Sequence, residues 1–147
     1  MDYQKILENI YQAIQPYAKE GKQADYIPEL AKVNPDQFGM CLHTIYGEIY
    51  SIEQADTRFS IQSISKVFSL AMCLSLLGNK LWERVGKEPS GTAFNSLIQL
   101  EVEKGIPRNP FINAGAIVMS AILLSHLEHP EEQFLDFVRT LAGDNTI

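Results

Sequence analysis

Cysteine is scarce in this 147-residue chain, which has only Cys41 and Cys73. Neither has a His or Cys at ligand spacing, so a zinc site is disfavoured and reduced, buried thiols are the expectation. A disulfide is the weaker alternative. His43, His126 and His129 are scattered and read poorly as metal ligands. Positive charge is also short: 12 Lys and Arg face 18 Asp and Glu, for a net charge of −6. A general nucleic-acid binder needs an excess of basic residues to neutralise phosphates, so that class is disfavoured, as is adhesion to anionic membranes. The longest apolar runs, residues 67–77 and 114–125, fall short of the ~18 residues that span a bilayer. No basic stretch followed by an apolar core opens the chain, so no secretory signal is expected and cytoplasm is the expected compartment. Residues 86–91 lack the G-x-x-x-x-G-K-[ST] spacing of a phosphate loop. Repeats, low-complexity runs and linkers are missing too, which predicts one domain.

What is present is ordinary folded-protein composition, 46% apolar and 20% charged. Ile6, Leu7, Ile10, Ala13, Ile14 and Tyr17 recur at helical spacing and predict an N-terminal helix that Pro16 kinks or ends. Residues 24–30 read as too short and Pro-marked to be regular. Phe38, Met40 and Leu42 alternate with Gly39, Cys41 and His43, as in a strand. Tyr46-Gly47 reads as a turn, and Ile49, Tyr50 and Ile52 as a second strand, together a hairpin. From Ser63 to Leu77 the chain is apolar on nearly every side, which predicts a buried helix stopped by Gly78. A loop over 82–91, a short helix over 94–103 and a turn-rich connection over 105–110 follow. Asn113 opens a second apolar helix reaching about Leu127. Pro130 opens a third, with Phe134, Phe137, Val138 and Leu141 on one face and Gly143 at its end. Two strands alone are marginal, so further sheet strands are expected beyond Ile147.

Ser63-Ile64-Ser65-Lys66 is the most suggestive tetrad. Residues i and i+3 share a helix face, so a serine hydroxyl and a lysine amine can meet there. A serine is a poor nucleophile until a base takes its proton, and a lysine whose pKa burial lowers can be that base. Unpaired first-turn amides would favour a developing oxyanion beside them. The alternative is Ser63 as a helix N-cap and Lys66 as a solvated side chain. Against it, the eleven residues from Val67 to Leu77 carry no charge. Asn113 reads as a substrate-binding amide or as the N-cap of its helix. Tyr26 either points its hydroxyl into a site or simply packs.

Four blocks in order then become specific. They are Ala24-Asp25-Tyr26-Ile27-Pro28-Glu29-Leu30-Ala31; Phe59-Ser60-Ile61-Gln62-Ser63-Ile64-Ser65-Lys66-Val67-Phe68; Val85-Gly86-Lys87-Glu88-Pro89-Ser90-Gly91 with Phe94-Asn95-Ser96; and Pro107-Arg108-Asn109-Pro110-Phe111-Ile112-Asn113-Ala114-Gly115-Ala116-Ile117. Across positions 24 to 117 the chain resembles the serine-dependent glutaminases. The resemblance implies an α/β (α+β) fold of the β-lactamase/transpeptidase-like kind. Residues 1–147 would be the N-terminal part of one such domain, with 1–58 starting the α/β part and 59–147 the helical part. It implies hydrolysis of L-glutamine to L-glutamate and ammonia with no metal or organic cofactor, in a dimer or tetramer. By motif, Ser63 would be the nucleophile and Lys66 its activating partner. Tyr26 would line the substrate pocket, Gln62 would touch the substrate, and Asn113 would hold its amino-acid end. The same resemblance places further strands, a Glu, an Asn, tyrosines and a second oxyanion amide beyond Ile147, so that this piece alone would be inactive. A β-lactamase or penicillin-binding relative shares the S-x-x-K, but the Gln62 context and the Asn113 block disfavour it.

Overall fold

The computed structural model describes residues 1–91, 101 and 103–147, which divide into two compact units, Met1–Phe59 and Ser60–Ile147. The helix expected over 94–103 falls mostly outside the described residues.

In the first unit, helix α1 (Tyr3–Ile14) begins where the Asp2 carboxylate accepts the Lys5 N–H at 3.0 Å, capping one of the orphan amides of the first turn. Pro16 cannot donate to the ladder, and the α-helix ends at Ile14, passing into a 3₁₀ turn over Gln15–Tyr17. Its inner face buries Leu7 and brings Tyr3 to Tyr50 and Tyr11 to Phe38, with ring centroids 5.4 and 5.0 Å apart. Strands β1 (Gly39–His43) and β2 (Ile49–Glu53) pair antiparallel from Gly39 opposite Glu53 to His43 opposite Ile49. Gly47, at φ 87°, supplies the left-handed residue that the tight connection needs. Among the described residues the sheet has these two strands.

Two expectations are corrected here. Cys41 is exposed, because strand alternation sends it to the face opposite Met40 and Leu42. Residues 28–31 are regular: Pro28, at the first helical position, starts a one-turn helix α2 (Pro28–Ala31).

The second unit is helical. A 3₁₀ turn (Gln62–Ile64) leads into α3 (Ser65–Leu77), then comes a 3₁₀ run (Gly78–Glu83), α4 (Asn113–His126) and α5 (Pro130–Ala142). Gly78 closes α3 at φ 55°, and Gly143, left-handed at φ 65°, closes α5. Met72, Cys73, Leu81 and Val85 meet Val118, Met119, Ile122 and Leu123 in the core, with Phe134 and Phe137 of α5 packed against them.

The helix expected to be buried all round is buried on one side only. Val67 is 54% and Leu76 41% exposed. By length and composition the helical run Gln62–Glu83, 22 residues, could cross a bilayer, which corrects the reading that no segment reaches that size. Its α-helical part is 13 residues, about 20 Å at 1.5 Å per residue, against ~30 Å of hydrocarbon. Met72 and Cys73 pack into a protein core.

Candidate active site

The start of α3 does not carry the alternative arrangement in which Ser63 is its N-cap. Ser63 sits in the 3₁₀ turn ahead of α3, exposed, and no side chain caps that helix. The turn is held by its neighbours. Gln62 adopts φ 46°, a left-handed conformation unusual for a residue with a Cβ. Its side-chain amide donates to Ser60 Oγ at 2.8 Å, and its carbonyl accepts from Ser65 Oγ at 2.7 Å. Two of the amides expected to be open are paired. Ile64 N–H donates to Ile61 O, and Ser65 N–H donates to Gln62 O and Ser63 O.

Lys66 is half-buried and reaches across to the start of α4. Its Nζ donates to Phe111 O at 2.9 Å and to Asn113 Oδ1 at 2.8 Å. Among the described residues no hydrogen bond joins Ser63 to Lys66. Asn113 is the first residue of α4, with Ile112 at the cap position, so its carboxamide serves Lys66 rather than capping the helix. Thus Ser63, Gln62, Lys66 and Asn113 lie on one turn and the helix start facing it. Tyr26 belongs to the first unit, where it is 81% exposed.

The segment before Asn113 is fastened tightly. Gly86 N–H donates to Pro107 O at 2.8 Å and Glu88 N–H to Arg108 O at 2.9 Å, so the third and fourth sequence blocks run side by side. Gly86 has to be glycine, since a Cβ there would lie 2.6 Å from Arg108 O. Asn109 donates from Nδ2 to Glu88 O at 2.8 Å, and its Oδ1 accepts from Phe111 N–H at 3.0 Å and Ile112 N–H at 3.2 Å. Sequence reading assigned Asn109 no role. The available signal was Asn before Pro, a turn-initiating pair.

Beyond Lys66, a cleft of about 350 Å³ is lined by Ser65, Lys66, Ser69, Ser120 and Phe134. Lys66 thus borders both the Ser63 turn and an apolar cleft.

The chain joins an antiparallel hairpin backed by a helix to a helical unit that opens on a Ser-x-x-Lys turn, and the solved structures it matches place it in the α/β class of the β-lactamase/transpeptidase kind. The chain supplies the N-terminal helix, the opening hairpin and much of the helical half. The family model for glutaminase matches residues 21–147, and the chain belongs to the glutaminase family. It is similar to a glutaminase of Paraburkholderia phytofirmans, 56% identical over 147 residues, covering 100% of this chain and 48% of the relative. A glutaminase of Rhizobium johnstonii is 58% identical over 149 residues, covering 99% and 48%. Among solved structures, a probable glutaminase, YbaS, matches with a TM-score of 0.80 at 33% identity, covering 95% of this chain and 46% of that one. A Bacillus glutaminase solved in 4.3 M NaCl matches with a TM-score of 0.75 at 32% identity, covering 97% and 45%. The chain spans about half the length of the curated relatives it matches.

Proposed function

We propose that the protein, at the length of its relatives, hydrolyses L-glutamine to L-glutamate and ammonia through an acyl-enzyme on Ser63. The observation that carries this reading is Lys66, held by Phe111 O and Asn113 Oδ1 next to the turn that exposes Ser63. A neutral amine has two hydrogens and one lone pair. When Lys66 acts as the base, its amine keeps two hydrogens for those acceptors and turns its lone pair to the Ser63 hydroxyl, three residues back.

Ser63 Oγ then bonds to the side-chain amide carbon of glutamine while its proton passes to Lys66 Nζ. The tetrahedral intermediate collapses as the C–N bond breaks, and the departing nitrogen takes the proton and leaves as ammonia. A glutamyl ester remains on Ser63. Water adds to the ester carbon, the bond to Oγ breaks, and Ser63 recovers a proton as glutamate leaves. Gln62, Asn113 and Tyr26 are the proposed substrate contacts. The single-domain organisation and a dimer or tetramer belong to the same proposal and rest on the family resemblance, and a cytoplasmic location is proposed with them from the scarcity of cysteine.

Ammonia release from glutamine by the longer protein tests it. Ser63→Ala is expected to lower kcat on the order of 10⁴-fold. An unchanged rate contradicts the nucleophile.

A second reading is favoured by the exposed apolar side chains of α3 and α4. Val67 is 54%, Ile117 52% and Leu124 66% exposed. In that reading these 147 residues are an inactive or complementing half that needs further chain to fold and act. A sharp cooperative melt of the isolated chain counts against it.

A further inference from the structure

We infer that Asn109 is a positioning residue that aims the Phe111 carbonyl at Lys66. The argument starts from the planarity of one peptide unit. In a trans peptide the C=O and the following N–H point in opposite directions. The unit joining Phe111 to Ile112 has its N–H on Asn109 Oδ1, at 3.2 Å, and its C=O on Lys66 Nζ, at 2.9 Å. Fixing one end therefore fixes the other. The preceding amide, Phe111 N–H, is tied to the same oxygen at 3.0 Å, so the peptide is held at two successive points.

Asn109 is itself anchored. Its Nδ2 donates to Glu88 O, a carbonyl in the strip that pairs with Arg108. Behind it, α4 is pressed against the same segment, since a Cβ on Gly115 would lie 2.0 Å from Asn109 O. The result is a rigid support under one of the two acceptors that orient the Lys66 amine. Asn suits the position because one carboxamide both accepts from two amides and donates to a third group. Asp keeps the accepting half and loses the donor.

The role in catalysis rests on the proposed glutaminase reading, but the geometry can be tested without activity. Lysine acylation by acetic anhydride, mapped by mass spectrometry on the protein at the length of its relatives, compares Lys66 with exposed Lys80, with thiol labelling of buried Cys73 as the fold control. Asn109→Ala is expected to speed Lys66 acylation about fivefold, the effect of losing one hydrogen bond, with Lys80 and Cys73 unchanged. Asn109→Asp is expected to keep Lys66 slow. Should Asn109→Ala expose Cys73, Asn109→Asp decides: fast Lys66 in that folded variant overturns the inference, slow Lys66 supports it. Wild-type acylation kinetics in folded Asn109→Ala also overturn it. In the longer protein, Asn109→Ala is expected to lower kcat about tenfold at constant KM, with Asn109→Asp recovering most of it. If the wild-type longer protein releases no ammonia, the glutaminase reading fails while the acylation result still decides the role of Asn109.

Discussion

The two thiols differ only in where the chain puts them. Cys73 is fully buried under Met119, its Sγ 3.5 Å from the Met119 carbonyl, while Cys41 stands on the open face of the hairpin. Burial disfavours the thiolate, which pushes the Cys73 pKa from 9.0 up to about 11. The folded state therefore holds its proton more tightly than the unfolded state. The stability this contributes is fully present below pH 9 and is lost as pH rises towards about 11. Melts across that window should fall more steeply for the wild type than for Cys73→Ala, and equal slopes would contradict the burial argument. In the native chain, thiol reagents should label Cys41 at once and Cys73 only on unfolding. At this scale the Ser-x-x-Lys tetrad was legible as a motif, because its spacing is local. The Lys66–Asn113 bond was not. It joins residues 47 positions apart, and no local period encodes a tertiary contact.

Helices and strands were legible where period and punctuation agree. The Pro16 break, the alternation of Met40 and Leu42, and the Gly143 stop all appear in the expected places. The start of α3 was misread because a 3₁₀ turn precedes it. Ser63 has the right residue type for an N-cap but sits one residue ahead of the cap position, which Ile64 occupies. The burial of α3 was also overestimated, since an apolar composition cannot say which faces find a partner among these residues. Helix α4 tests the account of close packing. Gly115 lies where a side chain would strike the Asn109 and Pro110 backbone. Gly115→Ala cannot be absorbed by a flexible side chain, so it should cost ~1–3 kcal/mol in a denaturant titration. A neutral substitution would mean that the 107–110 segment yields more readily than the geometry states.

At the scale of the molecule, the blocks that carry the family resemblance do mechanical work beyond holding expected site residues. The strip at Gly86–Glu88 braces Pro107–Arg108, and that segment presents Phe111 and Asn113 to Lys66. The described sheet has two strands, and α3 and α4 keep Val67, Ile117 and Leu124 open to solvent. The proposed nucleophile turn and its lysine are set in a chain that spans about half the length of its glutaminase relatives. Ammonia release from L-glutamine, measured side by side on these 147 residues and on the protein at the length of its relatives, tests that most directly. The account predicts turnover by the longer protein alone. Turnover by the short chain would show that these 147 residues suffice for the reaction, and a folded but inert longer protein would contradict the glutaminase chemistry.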